Sequence, residues 1–122
     1  MNDKSNQQAA VELLQELGLK EYEARCFVAL SRRPKGTAKE ISEISTVPRT
    51  RVYDAIRVLE TKGLVEVQHS NPKQFRAVSV DEAIRTIRAE FTKRTETLRD
   101  ALRDMDPAEL AEDEAVPHEA WS

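Results

Sequence analysis

One cysteine, two histidines and three glycines stand among the 122 residues. A lone thiol excludes an internal disulfide, and Cys26, inside the apolar run Cys26-Phe27-Val28-Ala29-Leu30, reads as a buried structural thiol. His69 and His118 are far apart in the chain and have a single cysteine for company, so neither a metal nor a cofactor is expected. So few glycines leave no phosphate-binding loop, and no nucleophile elbow is present, which argues against an enzyme. No apolar run approaches the ~20 residues of a membrane-spanning helix, and the first residues are polar, so a cytoplasmic location without membrane contact is expected. Aromatics make up only 5% of the chain, so the core has to come from aliphatic side chains placed economically along helices and strands. At this length one compact domain with an appended element is the expected organisation.

The net charge of −3 is unevenly spread. Residues 19–79 hold twelve Lys/Arg against seven Asp/Glu, a balance of +5, which leaves −8 for the rest of the chain. The stretch 107–122 carries Glu109, Glu112, Asp113, Glu114 and Glu119 without one Lys or Arg. A basic middle between acidic ends fits a local footprint for nucleic acid on a protein whose overall charge is negative.

Apolar periodicity orders the elements. Ala10, Leu13, Leu14 and Leu17 form a helical stripe over about 7–17, closed by Gly18. A second helix over about 20–32 carries Tyr22, Cys26, Phe27, Ala29 and Leu30 on more than one side, which marks it as central. Thr37 and Glu40 have capping-box spacing and open a short helix, 38–45, with Ile41 and Ile44 expected inward. A tight link leads through Pro48 into a fourth helix that ends before Gly63. Residues 64–68 and 74–78 alternate apolar with polar around a turn-forming segment, a β-hairpin. Ser79 and Glu82 offer a second capping box for a last helix over about 81–106, ~39 Å long at 1.5 Å per residue. Pro107 would end it, and the acidic remainder has the composition of a disordered tail.

The fold class read from this order is mainly α with a small β-hairpin: a winged helix-turn-helix over 9–80, a flexible start over 1–8, a dimerisation helix over 81–106 and a tail over 107–122. Helical spacing puts Val52, Ala55, Ile56 and Leu59 on one face of the fourth helix and Thr50, Tyr53, Asp54, Arg57 and Thr61 on the other, with Arg49 and Arg51 at its start. That outer face suits the major groove, where arginine can bond guanine twice while Thr and Tyr hold phosphates or touch a thymine methyl. Any amphipathic surface helix also shows charge outward, so the context has to decide. The candidate DNA-binding set is Lys39, Arg49, Thr50, Arg51, Tyr53, Asp54 and Arg57, joined in the hairpin by Asn71, Lys73 and Arg76. On the last helix Ile84, Phe91, Leu98 and Met105 recur every seven residues beside Ile87 and Leu102, a narrow seam that favours a partner subunit over the chain's own first helix. Leu13 and Leu14 are expected to join that homodimer interface, and a two-fold dimer calls for half-sites about 34 Å apart on double-stranded DNA. A winged helix used only for protein contacts and a nonspecific architectural DNA binder are the competing readings.

Leu17-Gly-Leu-Lys-Glu-Tyr-Glu-Ala-Arg25, Thr37-Ala-Lys-Glu-Ile41 and Val47-Pro-Arg-Thr-Arg-Val-Tyr-Asp54, followed by Leu59-Glu-Thr-Lys-Gly-Leu-Val-Glu-Val67, resemble the DNA-binding domain of the TrmB-like transcriptional regulators, best represented among archaea. The match covers roughly 13–83. The resemblance implies a winged helix-turn-helix, operator DNA as partner, and the fourth helix as the recognition helix. Two departures stand out. Lys20 occupies the place of a usual Thr or Ser cap, and the long sugar-binding domain of full-length members has no counterpart after the last helix, so control by a sugar is not carried over.

Overall fold

The computed structural model describes residues 3–105, with side chains from Ser5 onward. Five helices and a two-stranded antiparallel sheet follow in the order α1 (Asp3–Glu16), α2 (Glu21–Ser31), α3 (Ala38–Ser45), α4 (Arg49–Thr61), β1 (Val65–Gln68), β2 (Gln74–Ala77) and α5 (Val80–Arg103). The expected fold class is the one observed. α1 begins at Asp3 rather than near Gln7, so most of the stretch expected to be flexible is helical. Asn6, Gln7, Gln8, Ala9 and Ala10 contain no helix breaker, and that outweighs their polarity. The acidic stretch 107–122, the stop at Pro107 and His118 lie outside the described residues.

α2 is the central element, packed against α1, α3, α4 and β2. Ala24, Cys26, Phe27, Ala29 and Leu30 are buried along it, and the core is completed by Ile41 of α3, Val52, Ala55, Ile56 and Leu59 of α4, Leu64, and Val65 and Phe75 of the hairpin. Tyr22, one of the apolar residues that mark α2 as central, and Ile44, expected inward, are each more than a third exposed. They sit at the first turn of α2 and the last turn of α3, where a short helix has outrun the elements that cover it.

The element ends follow local chemistry. Thr37 Oγ1 accepts the Glu40 amide at 3.2 Å while Glu40 Oε1 accepts the Thr37 amide at 2.9 Å, a complete capping box. At α2 only half of that exchange exists. The Glu23 carboxylate accepts the Lys20 amide at 3.0 Å, and a lysine side chain has no lone pair with which to answer. At α5 the Ser79 hydroxyl accepts the Glu82 amide at 3.1 Å. Gly18 (φ 111°) and Gly63 (φ 80°) end α1 and α4 in backbone regions that L side chains avoid.

In the hairpin Val65 pairs with Ala77, Glu66 with Arg76, Val67 with Phe75 and Gln68 with Gln74. The strand β2 has a further neighbour. Gly36, between α2 and α3, exchanges two backbone bonds with Phe75 at 2.9 and 2.7 Å, which fastens the hairpin to the helical body one residue pair short of its turn.

The chain divides into two units, one ending at Ile87 and one beginning at Arg88, with α5 running through both. In the first unit Ala83 and Ile87 of α5 are buried. In the second, Phe91 and Met105 are half-buried and Leu98 and Leu102 are more than half exposed.

Candidate nucleic-acid interface

The segment Thr46-Val47-Pro48 joins α3 to α4 and sets where α4 begins. Val47 is buried and plugs the turn; its carbonyl accepts from Ser42 Oγ at 2.6 Å and its amide donates to Ser45 Oγ at 3.2 Å. Pro48 is the N-cap of α4 and has no side-chain oxygen with which to close the helix start. Its carbonyl accepts the first two helical bonds, from Arg51 at 2.8 Å and Val52 at 3.1 Å. The opening amides of such a helix, at the positive end of its dipole, favour an anion.

The two faces of α4 separate as the sequence expects. Val52, Ala55, Ile56 and Leu59 are buried, while Arg49, Thr50, Arg51, Tyr53, Asp54 and Arg57 are exposed. The exposed cations are not equivalent. Arg57 bonds Asp54 at 3.3 Å one turn earlier, and Arg76 pairs across the hairpin with Glu66, which raises its pKa further through that hydrogen bond and charge. Arg49 and Arg51 have no carboxylate partner among the described residues. Lys39 on α3, and Asn71 and Lys73 in the hairpin turn, are likewise exposed.

Arg51 and Asp54 line one side of a cleft of about 330 Å³ whose other side is the first turn of α2, with Lys20, Tyr22 and Glu23. Lys20 and Tyr22 were not among the sequence candidates. The signal for them is tertiary, since only the packing of α2 on α4 brings residues about thirty positions apart to one cleft. Arg76 lines a separate hollow along the hairpin with Pro34, Lys35, Glu66 and Gln74. Of the seam residues, Leu13, Leu14, Ile84 and Ile87 line one apolar groove with Leu17 and Val80; Leu13 and Ile84 are exposed, Leu14 is half-buried and Ile87 is buried. Among the described residues there is no cluster of His, Cys, Asp and Glu that could hold a metal, and no helix long and apolar enough to cross a membrane.

A short capped helix, a buried turn, a second helix with a bare basic start and a two-stranded wing together define a winged helix-turn-helix. Solved structures share this architecture at low identity, among them a possible transcriptional regulator from Methanosarcina mazei Go1 (TM-score 0.59, 12% identity, 74% of this chain and 82% of that one). The chain belongs to the TrmB family: the model described as "Sugar-specific transcriptional regulator TrmB" matches residues 14–81, more than half of its length. It is similar to TrmBL2 of Thermococcus kodakarensis, a DNA-binding HTH-type transcriptional repressor, at 38% identity over 69% of this chain and 32% of that protein. The sugar-sensing regulator TrmBL1 of Pyrococcus furiosus is 27% identical over 78% of this chain and 28% of its own length. A solved structure of TrmBL2, described as an archaeal chromatin protein with a novel mode of DNA binding, superposes with a TM-score of 0.73 at 31% identity, over 90% of this chain and 42% of that one. The chain thus spans about a third or less of the curated relatives it matches. These relatives are transcription regulators, not enzymes.

Proposed function

We propose that this chain is a cytoplasmic, sequence-specific DNA-binding regulator of transcription that acts as a homodimer on an imperfectly palindromic operator. α4 lies in the major groove, with Thr50, Tyr53, Asp54, Arg57 and the two leading arginines toward base edges and phosphates. Asn71, Lys73 and Arg76 of the wing meet the adjacent backbone, and Lys39 approaches a phosphate beside the groove. The observation that carries this reading is the start of α4, where Arg49 and Arg51 are exposed and have no carboxylate partner among the described residues, on a helix whose opposite face is buried. A solvated charged face of no consequence would serve equally well with its arginines tied to neighbouring carboxylates.

Selection from a pool of random duplexes tests this directly. The full chain should enrich one motif with two related half-sites, and Arg51→Ala should weaken the selected duplex by about 1 to 3 kcal/mol and relax one base position in each half. No enrichment over the starting pool would refute the reading. The similarity to TrmBL2, described as a chromatin protein, favours as second reading a nonspecific architectural binder. Salt titration separates the two: a specific binder keeps a large affinity gap over random DNA as salt rises, and an architectural one shows no gap at any salt.

A further inference from the structure

The turn of the helix-turn-helix contains a backbone conformation that its sequence does not favour. Thr46, the C-cap of α3, sits at φ 59°, ψ 22°, and it is the one non-glycine residue with positive φ among those described. For a β-branched side chain this region is an outlier, because Cβ crowds the backbone there. Something has to hold it.

The geometry points to Arg25 as the positioning residue that holds this turn and thereby aims the recognition helix. Arg25 lies on α2, twenty residues before the end of α3, and its hydrogen bonds go to Glu21, Ser45 and Thr46. Its Nε and Nη2 both donate to the carbonyl of Ser45, at 3.2 and 2.8 Å, and Nη2 also donates to Thr46 Oγ1. Ser45 is the last residue of α3, so the guanidinium neutralises the negative end of that helix and satisfies a carbonyl without a helical partner. The other edge of the guanidinium is fixed as well: Nη1 donates to Glu21 Oε2 at 3.3 Å, and the group lies 5.7 Å from the centre of the Tyr22 ring. The fork is rigid and half-sheltered, and lysine has no equivalent for it. Immediately past Thr46 come the buried Val47 and then Pro48, from which α4 starts. Rotation at Thr46 would therefore swing Arg49, Thr50 and Arg51 together.

This inference rests on α4 being the DNA-reading helix, and the test keeps the two apart. The full chain is compared with Arg25→Gln, Arg25→Lys, Thr46→Gly and the Arg25→Gln/Thr46→Gly double variant. The readouts are affinity for a duplex selected by the unaltered chain, affinity for a random duplex, and amide hydrogen exchange at Val47, Arg51 and Val52. Arg25→Gln should lose about tenfold in affinity for the selected duplex, with much less loss on random DNA, and the three amides should exchange faster. Arg25→Lys, which keeps the charge and loses the fork, should fall between. Thr46→Gly supplies a residue at ease with positive φ, so it should restore most of the loss when added to Arg25→Gln. Equal losses on both duplexes would make Arg25 a phosphate contact and overturn the proposal. So would unaltered exchange in Arg25→Gln, or a double variant no better than the single. If the unaltered chain selects no duplex, the DNA reading falls, and the exchange data with their rescue by Thr46→Gly still decide whether Arg25 sets the turn.

Discussion

Cys26 shows how burial decides what a reactive group does. Its thiol is enclosed between α2 and the end of α3, and the loss of solvent raises its pKa from 9.0 to about 11, against smaller opposing effects of the Ser45 hydroxyl and the Arg25 charge. An acid whose folded pKa is raised keeps its proton longer in the folded chain. The associated stability is intact below pH 9 and is lost as pH climbs toward 11, because the unfolded chain ionises first. Native protein should therefore resist iodoacetamide at pH 8 and react once unfolded in urea, as mass spectrometry would report; fast alkylation of the native chain would contradict the burial. Arg57 offers a second contrast. Tied to Asp54, it would have to exchange that partner to meet DNA in the proposed complex, and an exposed pair of this kind contributes no more than about 1 kcal/mol. Asp54→Asn should consequently raise affinity for duplexes in general through the freed arginine and one removed negative charge, measured by fluorescence anisotropy at low salt.

At the level of the element, α3 depends on its first turn. Eight residues are too few for a helix to persist by propensity alone, so the Thr37 and Glu40 exchange matters here, whereas the longer α4 has no side-chain cap. The Thr37 amide, and then the Arg33 charge, lower the pKa of Glu40, so this cap is intact above the ordinary carboxylate range and weakens as pH falls through the depressed value. Thr37→Ala should lower unfolding stability by about 1 kcal/mol in urea titration, and no change would mean that packing alone fixes the helix. Features such as this box were legible in the sequence because they are local: donor and acceptor lie three residues apart. The faces of α4 were legible for the same reason, since one helical period sorts Val52 and Ile56 from Tyr53 and Arg57. The hold of Arg25 on Ser45 and the cleft shared by Lys20 and Arg51 were not, because both arise from the packing of α2 against elements reached much later in the chain. Thr46 was unreadable in another way, as a residue type that rarely adopts the conformation it has here.

For the molecule as a whole, the proposed pairing of subunits turns on the exposed apolar residues of α5 and α1. Leu98 and Leu102 are more than half exposed on a helix about 36 Å long, and Arg94, bonded to Glu90 at 3.2 Å and stacked on Phe91, interrupts the apolar stripe between them and Ile84. Phe91→Asp combined with Leu98→Asp should convert dimers to monomers in sedimentation, with a steep loss of affinity for any two-half-site duplex. Unchanged sedimentation would remove this seam from the proposed assembly. The bridge between Gly36 and Phe75 bears on a different property of the whole. Because the hairpin is fastened at Phe75 and the described backbone bonds nearer the turn stay within the hairpin, residues 69–73 form an exchangeable tip: a loop of another length or charge could be grafted there without disturbing the helices, so in the proposed complex preference for flanking DNA is open to change independently of the groove-reading surface.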